Sequence, residues 1–214
     1  RITVAYNRRV DRPGEPELRI FPKYDDPELL KVGNPFLRPQ FTNAYETGFS
    51  RSWFGGSGSI AVYHRDVSDA FLRIFAIDDS NPDYDIVNRL YENAGNFRQT
   101  GVQLTASQDI IRAWRMTGSV NWFQNDIDAL DTILFFPTTR PFVLAGSKDN
   151  TWDLTINNRF VLPRGLELQA NYIRYASRNV AQGRERARSS LDFSATQPLM
   201  NERADLVFTF TDIF

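Results

Sequence analysis

Between Phe97 and Trp122 the chain alternates apolar and polar residues in two runs that meet at a short polar turn. Val102, Leu104 and Ala106 alternate with Gln103, Thr105 and Ser107. Beyond the turn at 108–113, Trp114, Met116, Gly118, Val120 and Trp122 alternate with Arg115, Thr117, Ser119, Asn121 and Phe123. Successive strand side chains point to opposite faces, so the pattern predicts a long antiparallel hairpin with one largely apolar and one largely polar face. Trp114 and Trp122 bracket the apolar face, as amphipathic rings do at the two edges of a bilayer. The hairpin alone also fits a soluble β-sandwich with two core tryptophans.

The same alternation runs through most of the chain. Ile2, Val4, Tyr6 and Val10 mark a first strand ended by Pro13 and Gly14, and a proline-rich loop follows to about Pro39. Phe41, Tyr45, Phe49 and Trp53 lie on one face of a second strand, interrupted by Asn43, Thr47 and Arg51. A glycine turn at 55–58 leads into a third strand over 59–77, where the apolar residues change faces part way; a bulge or an emergence from the membrane explains the change. A fourth strand spans 86–107 with an irregularity at 93–95, and Trp114 opens the fifth. Trp152, Leu154, Ile156, Phe160 and Leu162 mark the sixth, and Leu166, Leu168, Ala170 and Tyr172 the seventh. Leu191, Phe193 and Ala195 mark the eighth, and the run 204–214 the ninth. The segments ILFFP and RPFVL within 126–150 are read as short strands or aromatic loop tips.

Loop length sorts by parity. Short connections at 55–58, 108–113, 163–165 and 198–203 interleave with long ones at 11–39, 78–85, 126–150 and 178–188. A bacterial outer-membrane barrel has short periplasmic turns and long extracellular loops, whereas a Greek-key sandwich has no reason for this sorting. The expected fold class is therefore all-β: an antiparallel transmembrane β-barrel, present as a partial section of about nine strands of a larger one.

Composition fits. No run of about 18 apolar residues exists to form a transmembrane helix, and the mean hydropathy is −0.41. Barrels escape that test because a polar lumen dilutes the apolar face. Aromatic residues reach 14%, with 17 Phe, 8 Tyr and 4 Trp, which suits lipid-facing girdles. A formal charge of −1 gives no electrostatic case for nucleic acid, and zero cysteines exclude disulfides and thiolate metal sites.

Three segments resemble TonB-dependent outer-membrane receptors. NPFLRPQFTNAYETGFSRSW at 34–53 is similar to that family's "NP-x-L-x-P-E, then Y-E-x-G" segment, NAGNFRQTGVQL at 93–104 to its "N-x-G... G-V-E-L" strand, and TDIF at 211–214 to its closing "DIFN". Gln40 and Gln103 stand where the family usually has Glu. The resemblance implies that residues 1–214 are part of a C-terminal barrel domain, with the plug domain and final strands absent from them. It implies uptake of a scarce nutrient (a metal chelate, vitamin or glycan) at the bacterial cell outer membrane, with the barrel forming the wall and extracellular loops. The partners implied are outer-membrane lipid and lipopolysaccharide, the TonB complex through the plug, and a small nutrient ligand. Two alternatives stay open: a small outer-membrane barrel with a structural or adhesive role, and a soluble β-sandwich binding module.

No catalytic chemistry is expected. His64 is the only histidine, and GSGS at 56–59 is a turn between strands with no strand-to-helix elbow. No cofactor or metal is expected. Asp78, Asp79, Asp83 and Asp85, and also Asp126, Asp128 and Asp131, are read as solvated loop carboxylates in preference to calcium ligands. Arg184, Arg186 and Arg188 are read as a charged strand end in preference to a lipopolysaccharide contact. The polar faces put Glu46, Arg115, Asn121, Asp153, Asn157, Arg159, Gln169, Asn171 and Asp192 on the expected lumen wall. Phe21, Tyr24, Phe135, Phe136 and Phe142 are the loop candidates for ligand contact.

Overall fold

The computed structural model describes residues 1–214 apart from 27–28, 79–85, 94, 137, 201–202 and 214, and only the backbone of 23–26. In chain order the strands are β1 (Ile2–Asp11), β2 (Lys23–Asp26), β3 (Leu29–Lys31), β4 (Gln40–Trp53), β5 (Gly56–Ser68), β6 (Phe71–Asp78), β7 (Ile86–Asn93), β8 (Asn96–Ile111), β9 (Trp114–Ile127), β10 (Leu130–Leu134), β11 (Arg140–Leu144), β12 (Ser147–Val161), β13 (Glu167–Tyr175), β14 (Arg178–Val180), β15 (Gly183–Glu185), β16 (Arg188–Leu199) and β17 (Ala204–Phe210). A short helix, α1 (Glu15–Leu18), follows β1.

Nine of these strands form one antiparallel sheet in the order β1-β4-β5-β8-β9-β12-β13-β16-β17. Neighbours in the sheet are also successive sheet strands along the chain, the up-and-down order that only short turns and outward excursions produce. Its middle members run to 14 residues in β4, 16 in β8 and 15 in β12. A tilted membrane-spanning strand needs about 9–11, so these strands project beyond a bilayer.

The register turns the alternation of each strand into rows across the sheet. Ile60, Leu104, Val120 and Leu154 are successive partners on one face. One pair of positions along, Val62, Val102, Trp122 and Trp152 form a parallel row, and Trp114 pairs with Phe160 near the turn end. The Trp114 and Phe160 rings stack 5.4 Å apart. The two aromatic rows bound about 20–25 Å of tilted strand, the height of a barrel's lipid-facing band. This face is open: Leu104 and Trp122 are each 52% exposed, and no second sheet among the described residues covers them. That exposure removes the sandwich alternative, in which the apolar face would be buried. On the opposite face Ser57, Ser107, Thr117, Asn157, Asn171 and Asp192 form one polar row.

The expected third and fourth strands each divide in two. The run 59–77 leaves the large sheet after Ser68 and resumes as β6, and 86–107 starts as β7 before β8 joins the sheet. Asp69, with φ 53°, makes the first break, and Gly95, with φ 26° and within the irregularity read at 93–95, marks the second. The apolar residues change faces because the chain moves between two packing environments. β6 and β7 belong to a four-stranded sheet in the order β2-β3-β7-β6, in which β3 and β7 are parallel. ILFFP and RPFVL contribute to a separate hairpin, β10–β11, and 178–185 forms the hairpin β14–β15.

The hydrophobic core lies in these excursions. Val32, Ala76, Leu90 and Leu134 are buried together, and Ile74 packs with Leu130. A wall one sheet thick cannot bury apolar side chains by itself, whereas a sheet with a hairpin packed on it can.

Candidate functional site

The register places all nine expected wall residues on the polar face. Asn121 pairs with Asp153, Arg115 with Arg159, Arg159 with Gln169, and Asn157 with Asn171, which in turn faces Asp192. Glu46 pairs with Tyr63 on the same face. Arg115, Asn157, Arg159, Gln169 and Asn171 come together around a hollow of about 220 Å³ near the short turns. The side-by-side arginines each hold a carboxylate: Arg115 donates to both Asp109 oxygens at 2.6 and 3.0 Å, and Arg159 to Glu167 at 2.6 Å. Asn121 accepts from the Tyr63 hydroxyl at 3.0 Å, and Asp192 accepts from Ser190. Asp153 Oδ1 and Asn171 Oδ1 are buried without a hydrogen-bond partner among the described residues.

At the opposite end, where the long connections emerge, the polar face opens into a larger cavity of about 560 Å³. Its floor is the sheet itself, with Arg9, Arg65, Gln99, Phe97, Phe123 and Asn125 among its residues; β6 and the first strand of the β14–β15 hairpin, with Arg178 and Val180, form its roof. Arg9 is paired with Asp11 at 2.9 Å and Arg178 with Glu185 at 2.7 Å. Arg65 has no ion pair among the described residues. It lies 5.1 Å from the centre of the Tyr63 ring, with Gln99 Oε1 at 3.5 Å. The site therefore offers a guanidinium with no carboxylate partner among the described residues, amides and aromatic rings at one mouth.

The sequence reading did not single out Arg9, Arg65, Arg178, Phe97 or Phe123. The signal that marks four of them is a bulky residue on the polar parity of its strand, close to a long-loop end; Arg178 is brought in by the hairpin. Of the loop aromatics, Phe136 and Phe142 pack against the buried core. Phe21 and Phe135 are exposed, and Phe135 and Phe136 border a cleft with Phe36, Tyr91 and Glu92. The Tyr24 side chain lies outside the described residues, as do Asp79, Asp83 and Asp85.

Asp78 is buried, and Asp128 and Asp126 face Arg98 at 2.6 and 3.7 Å. These carboxylates serve the fold. Arg184 donates to Ser177, and Arg188 lies 4.7 Å over Tyr175. His64 is on the apolar face, its Nδ1 2.7 Å from Thr100 Oγ1 and its ring beside Tyr45.

The profile of one family, described as "Outer membrane protein beta-barrel family", matches residues 1–214. The chain belongs to this outer-membrane β-barrel family. Its place is the bacterial outer membrane, which accounts for the exposed apolar face. No curated protein gives a significant sequence match. Among solved structures, the siderophore receptor PirA from Pseudomonas aeruginosa is similar over 100% of this chain and 36% of its own, with a TM-score of 0.66 and 11% identity. The ferric enterobactin receptor PfeA from the same organism is similar over 100% of this chain and 32% of its own, with a TM-score of 0.63 and 11% identity. A second PfeA structure, in complex with enterobactin, gives 0.61 and 12% identity over 33% of its chain. The barrel strands described here thus span about a third of those receptors' length, and at such identities the likeness is one of fold. In an outer-membrane barrel the long connections are extracellular, so the Arg65 cavity is the outer mouth of this wall.

Proposed function

We propose that this chain is the barrel portion of a TonB-dependent receptor, forming wall and extracellular loops for uptake of a scarce nutrient. Its polar face lines the lumen and meets water and a plug domain, which the TonB complex acts upon. The single observation that carries the reading is the mouth cavity: a polar-face pocket roofed by extracellular excursions, with the Arg65 guanidinium beside Tyr63 and Gln99 and without an ion pair among the described residues. A planar guanidinium beside amides and rings suits an anionic, aromatic or carbonyl-rich ligand, so among metal chelates, vitamins and glycans the cavity favours an anionic metal chelate. The structural neighbours, named as siderophore and ferric enterobactin receptors, support the same choice. The ligand binds from outside, and no bond is made or broken.

Growth of a deletion strain on a panel of ferric chelates, cobalamin and oligosaccharides tests this, with the full-length protein restored. One anionic chelate should depend on the receptor and on TonB, and Arg65→Ala should weaken its uptake about tenfold or more, with Arg65→Lys intermediate. Uptake of no member of the panel, or uptake indifferent to TonB, overturns the reading.

A further inference from the structure

β6 is the edge of the four-stranded extracellular sheet, so the backbone groups on its outer side have no neighbouring strand among the described residues. At Phe75 both are taken by one side chain. The Phe75 N–H donates to Gln182 Oε1 at 2.7 Å, and Gln182 Nε2 donates to the Phe75 carbonyl at 2.9 Å. A primary amide carries the donor and acceptor of a peptide group, and here it supplies the pairing that another strand would make. Arg140 caps the same edge at Ile77 with a 2.9 Å bond to its carbonyl, so β6 is held to the β10–β11 hairpin independently of Gln182.

Gln182 sits at the tip of β14–β15, in the two-residue turn between Val180 and Gly183. The base of that hairpin is fixed to β12: Asn179 N–H donates to Asp149 at 2.8 Å, and Thr151 donates to the Ser177 carbonyl at 3.1 Å. The hairpin springs from the connection between β13 and β16, whereas β6 rises from that between β5 and β8. The tip therefore crosses several strand spacings, roughly 15–20 Å, and passes over the outer mouth with Arg178, Val180 and Ala181 facing the cavity.

We propose that β14–β15 is a strap across the outer mouth, latched to β6 by the Gln182 amide, and that release of this latch uncovers the Arg65 cavity while the base stays on β12. Two neutral hydrogen bonds at an exposed edge make a contact that opens spontaneously, since tenfold in population corresponds to about 1.4 kcal/mol. The inference concerns access to the cavity and rests on the reading of that cavity as the ligand site.

The test needs no ligand. The 214 residues contain no cysteine, so Val67→Cys places one thiol in the cavity wall and Phe21→Cys an exposed control, each in the full-length protein with any other cysteines replaced. Labelling by a membrane-impermeant sulfonated fluorescein maleimide on intact cells should be at least tenfold faster at position 67 when Gln182→Ala is added, with position 21 unchanged. Gln182→Glu supplies the second arm. Its ionised carboxylate cannot donate to the Phe75 carbonyl, so labelling at position 67, divided by that of Gln182→Ala at the same pH to remove the slowing of every thiol in acid, should be near one at neutral pH and fall well below one in acid, where the protonated acid regains the donor. A rate at position 67 that ignores both substitutions overturns the latch. A rate that rises equally at both thiols, without acid recovery in Gln182→Glu, signals general loosening and also overturns it. Failure of the uptake reading would leave these labelling rates untouched, and failure of the latch would leave uptake untouched.

Discussion

Tyr63 lies across Gly101, its direct partner between β5 and β8, and its hydroxyl reaches over to Asn121 on β9. A Cβ built on Gly101 would meet the Tyr63 hydroxyl oxygen at 2.6 Å and the Phe123 Cβ at 2.7 Å. The glycine is needed for the space above it, which the tyrosine ring fills, a cross-strand rescue of a strand glycine.

Gly101→Ala should therefore push the Tyr63 ring off its bond with Asn121 and cost about 1–3 kcal/mol by overpacking. Urea titration of the full-length protein refolded into lipid vesicles measures this. Tyr63→Phe should cost less, because it keeps the ring and loses only the hydrogen bond, and Tyr63→Ala together with Gly101→Ala should recover part of the loss. Equal stability of Gly101→Ala and wild type would refute the packing argument.

The two faces of β8 give a paired prediction at neighbouring positions. Leu104 belongs to the lipid-facing row and Gln103 to the polar face. Leu104→Arg should cost about 2–4 kcal/mol in the same vesicle titration, because the charge enters hydrocarbon. Gln103→Arg should change stability far less. Similar costs at the two positions would mean that the faces have been exchanged.

Within the extracellular sheet, Asn88 is fully buried and its side-chain amide has no partner among the described residues. Asn88→Leu removes an unpaired polar group at similar volume and should stabilise this sheet by about 1–3 kcal/mol. Amide hydrogen exchange of β3, β6 and β7 should slow. Faster exchange would show that the amide has an essential partner.

Burial pushes the Glu92 carboxyl above the ordinary glutamate value of 4.5, against the opposing effect of its hydrogen bond with Asn34. An acid whose pKa is higher folded than unfolded contributes its stability below the unfolded value and loses it as pH rises through the folded one. At neutral pH the ionised Glu92 therefore works against the fold. Glu92→Gln should protect this region from proteolysis relative to wild type at neutral pH, and the difference should fade in acid below the ordinary glutamate value. A difference independent of pH would assign the effect to packing.

The nine strands, the parity of short and long connections, and the sharing of one polar face by Glu46, Arg115, Asn121 and Asp192 were all legible along the chain. They follow from a period of two and from turn residues, both local properties: a side chain's face is fixed by its own strand, and register carries it across the sheet. Even the face change within 59–77 was visible, because a segment that leaves the membrane wall no longer needs its apolar residues on the lipid side.

The tertiary structure alone decided which segments leave the wall and what they build. The parallel pairing of β3 with β7 joins two connections far apart in sequence. Phe142 packs against the core because β10–β11 folds onto the extracellular sheet, setting Leu134 with Val32, Ala76 and Leu90 and Leu130 with Ile74. Arg65 meets Arg178, and Gln182 meets Phe75, only once the sheet has set their strands in place. No periodicity encodes such meetings, since they depend on how far each excursion reaches and what edge it finds free.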